Sequence, residues 1–345
     1  MHVSLGPVVV VASEAVRDAV RFMRSAEPSA IAYTLTKANG SPVTVADFVV
    51  QAFVASRLAQ HFSGDPLVAE EDASVLRGGG VSQVREQVVR LVGQMLPGTA
   101  AETEQVLAWI DRGRGACGRR FWTLDPIDGT RGLLRGGQYV IALALVVEGT
   151  VEIGIVGCPR LSITTAPPSQ AQVSDHAVLA TVEDGADGGV AIAVRNRGAW
   201  WMPLHGGRPT RLSVSNESNP ARIRALHSRE SRHSDADELH RVLRALRSSA
   251  PPVLRDGQTK QVLLAAGTAE LLMRIPRDCG YREAIWDQAA GALLVAEAGG
   301  RVTDLDGLPL DFTTGRHLLR NTGLIASNGL LHDAVLDVAR QRRLR

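Results

Sequence analysis

The chain has 345 residues, with 38 basic and 36 acidic side chains and a formal net charge of +2. That balance excludes a nucleic-acid binder driven by bulk electrostatics, and a 45% hydrophobic content excludes a largely disordered chain. The apolar run Val8 to Ala12 near the start falls far short of the roughly 18 residues of a membrane span, no other run reaches that length, and no export-signal pattern opens the chain.

Residues 8–26 carry apolar positions at helical spacing and predict an opening helix. A second helix is predicted over 43–60, starting near Thr44. A short buried strand at 66–69 leads into Glu70-Glu71-Asp72. Helical patterns at 81–96 and 102–111 flank Pro97-Gly98. Strands follow at 121–124, 139–148 and 151–156, the last two forming a hairpin around Glu148-Gly149. The loop-rich stretch 163–190 is the candidate boundary. Beyond it the patterns predict strands at 190–195, 269–275, 300–304 and 323–326, and helices at 235–248, 259–266, 285–298 and 329–340. Alternating strands and helices in both halves point to a layered α/β (α+β) enzyme-like fold, and the length to about two domains on a prior of ~100–200 residues each. Three cysteines without close spacing argue against a disulfide framework or zinc site and for a reducing compartment. Of the 38 basic residues only Lys37 and Lys260 are lysines, which leaves 36 arginines.

The sharpest local feature is D-P-I-D-G-T at 125–130, directly after the apolar F-W-T-L. Asp125 and Asp128 lie three apart across a proline and before a glycine, as at a strand-to-turn junction. There both carboxylates and the Ile127 carbonyl can face one side, and such oxygens suit Mg²⁺, which takes few protein ligands and completes its shell with substrate phosphate. A surface turn with capping aspartates is the plainer alternative. Asp287 before a predicted helix also reads as an N-terminal cap, and Glu70-Glu71 as a solvated pair. With Asp47, four acidic sites abutting apolar segments suggest one shared metal site.

Five blocks together resemble the lithium-sensitive, magnesium-dependent phosphatase superfamily that includes inositol monophosphatase. They are T-K-x-x-G-S-P-V-T-V-A-D (36–47), V-A-E-E-D (68–72), W-T-L-D-P-I-D-G-T-R-G (122–132), W-D-Q-A-A-G (286–291) and E-A-G-G-R-V-T-D (297–304). The continuation R-G-L-L-R-G-G-Q-Y-V-I-A-L-A-L-V-V-E-G (131–149) is most similar to 3′(2′),5′-bisphosphate nucleotidases. The resemblance implies an alternating αβαβα sandwich with mixed and antiparallel sheets. It implies a domain over 1–160 carrying most metal ligands, and one over 161–345 carrying nucleotide contacts and the last ligand.

By the same resemblance, Glu70, Asp125, the Ile127 carbonyl, Asp128 and Asp287 hold two or three Mg²⁺ ions. Asp47 and Thr130 form a water-activating pair, although Thr130 also reads as a plain helix cap. Lys37 and Glu71 support this set, and the Gly129 and Thr130 amides can hold phosphate. Lys260 and Gln258 match the family's D-S-Q-x-K segment, with Gly257 in place of the serine, so one hydroxyl contact is missing. Arg274, Tyr281, Arg282 and Asp287 flank the nucleotide. His233 and Ser234 best match the family's histidine segment, the alignment being able to slide to His227 and Ser228; a solvated approach to the next helix is the plain alternative. Trp200-Trp201 read as strand residues of an outer layer rather than a base-stacking platform.

The implied activity is removal of the 3′-phosphate of 3′-phosphoadenosine 5′-phosphate, and of its 5′-phosphosulfate relative, by metal-activated water. An inositol phosphate phosphatase and a non-catalytic nucleotide sensor are the competing readings. A nucleotide substrate is the expected partner, with no nucleic acid or membrane, a monomer in preference to a dimer, and a cytoplasmic setting with an organelle left open.

Overall fold

The computed structural model describes residues 5–37, 40–98, 101–165, 180–184, 187–229, 235–278 and 280–343. In chain order its elements are α1 (Leu5–Ala30), β1 (Thr34–Thr36), β2 (Pro42–Thr44), α2 (Val45–His61), β3 (Leu67–Ala69), α3 (Ser82–Met95), α4 (Thr103–Asp111), β4 (Arg120–Asp128), α5 (Thr130–Leu134), β5 (Val140–Val147), β6 (Thr150–Cys158), β7 (Leu161–Thr165) and β8 (Ala180–Asp184). There follow β9 (Gly189–Val194), β10 (Gly198–Pro203), β11 (Thr210–Leu212), β12 (Ala225–His227), α6 (Ala236–Ala245), β13 (Val253–Leu254), α7 (Thr259–Ala265), β14 (Leu271–Arg274), α8 (Ala289–Glu297), β15 (Arg301–Thr303), β16 (Leu324–Ser327) and α9 (His332–Arg343).

The larger sheet has seven strands in the order β11-β10-β9-β6-β5-β4-β3, and the smaller five in the order β13-β12-β14-β16-β15. Side chains alternate across a strand, so the larger sheet separates two cores. Leu124, Ile141, Leu143 and Leu145 pack with α1 and α2 on one face. Val140, Ala142, Ala144 and Val146 pack toward α7 and α8 on the other. The alanines let α8 approach closely, and at Gly154 a Cβ would stand 2.7 Å from the Ala290 carbonyl oxygen. A third core joins the far face of the smaller sheet to α6 and α9. The layers therefore run α, β, α, β, α, as the family resemblance implies. The expected division at residue 160 falls between β6 and β9, neighbours in one sheet.

The predicted strand at 121–124 is longer than its apolar core, because β4 continues through both aspartates. The β1–β2 and β7–β8 hairpins and β11 to β13 fall outside the predicted elements, being too short for periodicity to show or lying in loop-rich sequence. Trp200 and Trp201 lie on β10 as expected; Trp201 is buried, and Trp200 is half exposed beneath Arg211.

One buried polar group clamps the last layer. His332, fully enclosed at the start of α9, hydrogen-bonds Thr303 Oγ1 and Ser327 Oγ, each at 2.9 Å. Burial, aided by Arg301, holds its pKa down to about 4. In the unfolded chain it titrates near ~6.5. Between those values the unfolded state binds the proton and the folded state does not, so stability falls as pH falls through that window. Urea unfolding should show a smaller loss of stability from pH ~6.5 to ~4 for His332→Asn than for wild type; equal losses contradict a neutral clamp.

Candidate active site

β3 and β4 pair in parallel, so their C-terminal ends lie at the same edge of the sheet. The Glu70 amide donates to the Leu124 carbonyl at 3.2 Å, which brings Glu70 beside Asp125. Pairing of β4 with β5 is interrupted between Asp125 and Asp128. Pro126, which has no N–H to give a ladder, occupies that bulge, and the Ile127 amide donates to Asp125 Oδ1 at 3.1 Å. Gly129 then takes φ +96°, a left-handed turn that suits glycine, and α5 begins. Asp287 arrives from the opposite side, two residues before α8.

Asp47, buried in the first turn of α2, accepts both the Thr44 amide (2.8 Å) and the Thr44 hydroxyl (2.7 Å) on Oδ2. Its Oδ1 faces the Thr130 hydroxyl at 3.4 Å, while that hydroxyl also reaches the Ile127 carbonyl at 3.1 Å. One hydroxyl proton serves only one acceptor at a time, so these bonds are alternatives. Lys37 Nζ donates to Glu70 at 2.7 Å and also to Glu71. Gln51, fully buried on α2, fixes the same corner: its amide donates to the Glu71 and Ile110 carbonyls at 2.6 and 2.8 Å and accepts the Glu71 amide at 3.1 Å.

The loop before α7 closes the other side. Gly257 has φ +57°, and a Cβ there would stand 2.6 Å from the Asp128 carbonyl oxygen. A serine would clash in this conformation, which gives the departure from the family segment a physical reason. The close approach lets the Gln258 amide donate to Asp128 Oδ2 at 2.6 Å. The Gln258 side chain turns inward, to the Trp286 carbonyl (3.0 Å) and the Gly291 amide (2.9 Å). Lys260 is buried and donates to the Gly257 carbonyl at 2.7 Å; burial first, opposed by Asp128, lowers its pKa to about 8. Arg274 pairs with buried Glu283 at 2.9 Å.

These residues surround a cavity of about 380 Å³. Glu70, Asp128, Gly129, Thr130 and Asp287 form its acidic side. Lys260, Arg274, Tyr281 and Arg282 also line it. Asp47, Asp125 and the Ile127 side chain lie buried behind that wall. His233 and Ser234 fall outside the described residues. Ser228 of the alternative alignment is on the wall, and the His227 ring bonds the Ser228 carbonyl. Polar lining residues not singled out from the sequence are Ser41, Arg131, Asp256 and His317. The His317 ring lies 6.2 Å from the Trp286 ring.

The electrostatics of this cluster are unbalanced. Burial, then Glu70, Asp128, Asp287 and Asp47, raises Asp125 well above the usual carboxylate range. Burial and Asp128 do the same to Asp287. Burial and Glu70 push Asp47 up to about 6, and with Asp47 they push Glu71 up to about 8. At Lys37 burial opposes the charge, but the two glutamates outweigh it and raise its pKa. Even so, one lysine does not neutralise the set. Gathered carboxylates that repel one another in a low dielectric fit a hard divalent cation. Among the described residues no group of three or more acidic, histidine or cysteine side chains is already arranged to hold a metal ion.

Residues 4–343 match the inositol monophosphatase family, and the chain belongs to it. A 3′(2′),5′-bisphosphate nucleotidase of Emericella nidulans is 36% identical over 324 residues, covering 89% of this chain and 90% of that one. One of Oryza sativa is 40% identical over 311 residues, covering 87% and 84%. Among solved structures, an IMPase of Thermotoga maritima superposes with a TM-score of 0.64 at 20% identity over 97% of both chains. An IMPase/NADP phosphatase complexed with Mg²⁺ and phosphate gives 0.57 at 19% identity, over 92% and 91%.

Gln51 supplies a test of how the glutamates are held. Gln51→Ala leaves two carbonyls and an amide unpaired in the interior and should lower the unfolding free energy by about 3 kcal/mol. Urea denaturation measures it; a loss below about 0.5 kcal/mol contradicts the role.

Proposed function

We propose that the chain is a Mg²⁺-dependent phosphomonoesterase that cleaves the 3′-phosphate of 3′-phosphoadenosine 5′-phosphate to give AMP and phosphate, and that also accepts the 5′-phosphosulfate analogue. The observation that carries this reading is the buried, mutually repelling set of carboxylates facing a cavity of phosphate-ester size with cationic side chains on its wall. The relatives named bisphosphate nucleotidases support the nucleotide substrate over an inositol phosphate. Glu70, Asp125, the Ile127 carbonyl, Asp128 and Asp287 would hold two or three Mg²⁺ ions. When bound, these supply charge to the phosphoryl oxygens and acidify the attacking water.

The remaining chemistry belongs to the chain. The Thr130 hydroxyl takes a proton from the water and passes its own to Asp47 Oδ1. Oδ2 is already held by Thr44, so Asp47 presents one oxygen in a fixed direction. Asp47 at about 6 is matched to accepting a proton near neutrality. The water's oxygen bonds to phosphorus as the bond to the 3′-oxygen breaks, so no covalent enzyme intermediate is needed. Lys37 keeps Glu70 and Glu71 from repelling one another apart. Gly129 and Thr130 present backbone to the phosphate, and Tyr281, Arg282, Arg274 and Lys260 line the way to it. The metal-holding set comes from residues 1–160 except for Asp287, and the nucleotide-facing set mainly from 161–345. We place the enzyme in a reducing, cytoplasmic setting as a monomer; Cys117 and Cys158 are free thiols.

Purified protein with Mg²⁺ should prefer 3′-phosphoadenosine 5′-phosphate over inositol monophosphate by about tenfold or more in kcat/KM, about 1.4 kcal/mol of transition-state preference. A tenfold preference for the inositol ester overturns the substrate assignment. Asp47→Asn should lower kcat by about 10²–10⁴-fold while nucleotide binding persists; full turnover contradicts its role as base.

A further inference from the structure

Two carboxylates on the cavity wall are carried by chain segments far apart in sequence. Glu70 directly follows β3, and Asp287 follows Trp286 on the approach to α8. β3 is the edge strand of the larger sheet, and Ala69 is its last residue. The Ala69 amide donates outward, to the Gly113 carbonyl at 2.9 Å, whereas the Glu70 amide donates inward to β4. The amide and carbonyl of one strand residue face the same edge, so the Ala69 carbonyl also looks away from the sheet and needs a donor. Half-buried Arg316, from the segment between β15 and β16, supplies it. Its Nη2 donates to the Ala69 carbonyl and its Nη1 to the Gly113 carbonyl, the latter at 3.0 Å. The guanidinium carbon lies 4.7 Å from the centre of the Trp286 ring. One planar group therefore grips the residue before Glu70 and the residue before Asp287.

The main chain anchors that grip. The Ile285 amide donates to the Arg316 carbonyl at 3.1 Å and the Leu318 amide to the Glu283 carbonyl at 2.9 Å, with Ala284 and His317 bridged antiparallel between them. The Arg316 backbone is thus fixed to the segment that leads into Asp287, while its side chain crosses to β3. Trp286 is buried and held at two points, by the guanidinium on its ring and by the Gln258 amide on its carbonyl at 3.0 Å. Gly113 is confined too: a Cβ there would stand 2.5 Å from Gln51 Nε2 and 2.9 Å from the Glu71 carbonyl oxygen. Arg316 is therefore tied into the corner that Gln51 already fixes. A guanidinium suits this place, because its fork can satisfy two carbonyls while its face rests on an indole. Both hydrogen bonds go to carbonyls rather than carboxylates, so the contact can fix the acidic groups in place without neutralising them.

We propose that Arg316 is a positioning residue that holds the Glu70 and Asp287 segments at the spacing at which bound Mg²⁺ draws on both. This rests on the metal-dependent phosphatase reading above. Arg316 touches neither the ion nor the substrate; it acts through Ala69 and Trp286. Its loss should therefore weaken the metal first and the nucleotide hardly at all.

The test compares wild type with Arg316→Met, Arg316→Lys and a control in the same segment, Arg320→Met, which removes an exposed arginine paired with Asp311. Calorimetric titration of Mg²⁺ into each metal-free protein gives the affinity, and thermal melts without and with Mg²⁺ report folding. Affinity should fall about tenfold or more in Arg316→Met, as it does when a group behind a metal ligand is lost. Arg316→Lys should lose about threefold, since an ammonium can reach one carbonyl but does not match the fork and the ring together. Arg320→Met should stay within about twofold of wild type. At saturating Mg²⁺ the ligands are all still present, so kcat should return to within about threefold and the nucleotide KM should hold. A simple loop anchor predicts the reverse, a lower melting point of the metal-free protein with unchanged Mg²⁺ affinity. Affinity within about twofold of wild type in both Arg316 variants, or an equal loss in Arg320→Met, overturns the proposal. Should Arg316→Met not fold, wild-type affinity in Arg316→Lys overturns it alone. If wild type binds Mg²⁺ yet cleaves no phosphate ester, the phosphatase reading falls while the affinity ratios still decide the role of Arg316. Absence of Mg²⁺ binding by wild type overturns both.

Discussion

Everything at this site follows from keeping like charges together out of water. Asp125, Asp128 and Asp287 converge beside Glu70, where burial and neighbouring carboxylates make the ionisation of the three aspartates costly. Such a cluster is tolerable only while protons, lysines or a metal offset it. The structure supplies part of that offset: Lys37 spans Glu70 and Glu71, and Lys260 sits beside Asp128. Under the proposed reading the rest would be offset by a cation, and the same imbalance would contribute to its binding.

The fold bears that strain through backbone geometry rather than through side-chain pairing alone. Parallel β3 and β4 end at one edge, a bulge at Pro126 lets two aspartates leave one strand close together, and Gly257 brings a second loop within contact of Asp128. Gln51 pins the Glu71 backbone from behind, and on the α7–α8 side Gln261 donates to Gln288, which donates to the Glu283 carboxylate. Because α8 packs on the larger sheet through small residues, Asp287 can reach carboxylates that are distant in sequence.

Much of this was legible beforehand because it is local. Each acidic residue sits in a short block after an apolar run, and the order of those blocks carried the family resemblance. What escaped depends on long-range neighbours. Gln51 looked like any helix residue until its partners from α4 and the β3 end were in place. Both lysines are directed at protein groups, Lys37 at two glutamates and Lys260 at a carbonyl beside Asp128, rather than standing out toward solvent. Arg316 was not singled out because arginines are the background of this chain, and only folding shows that it reaches Ala69, Gly113 and Trp286. Gly257 read as a lost contact, whereas its backbone shows a position where a side chain has no room.

With Asp125 and Asp287 held well above the usual carboxylate range by burial and neighbouring carboxylates, cation binding should expel protons. Calorimetric titration of Mg²⁺ into metal-free protein near pH 7, repeated in buffers of different ionisation enthalpy, counts them directly. Release of about one proton or more per protein is the expected result. Binding without proton release, equal in every buffer, would mean that the cluster is already fully ionised and would contradict it.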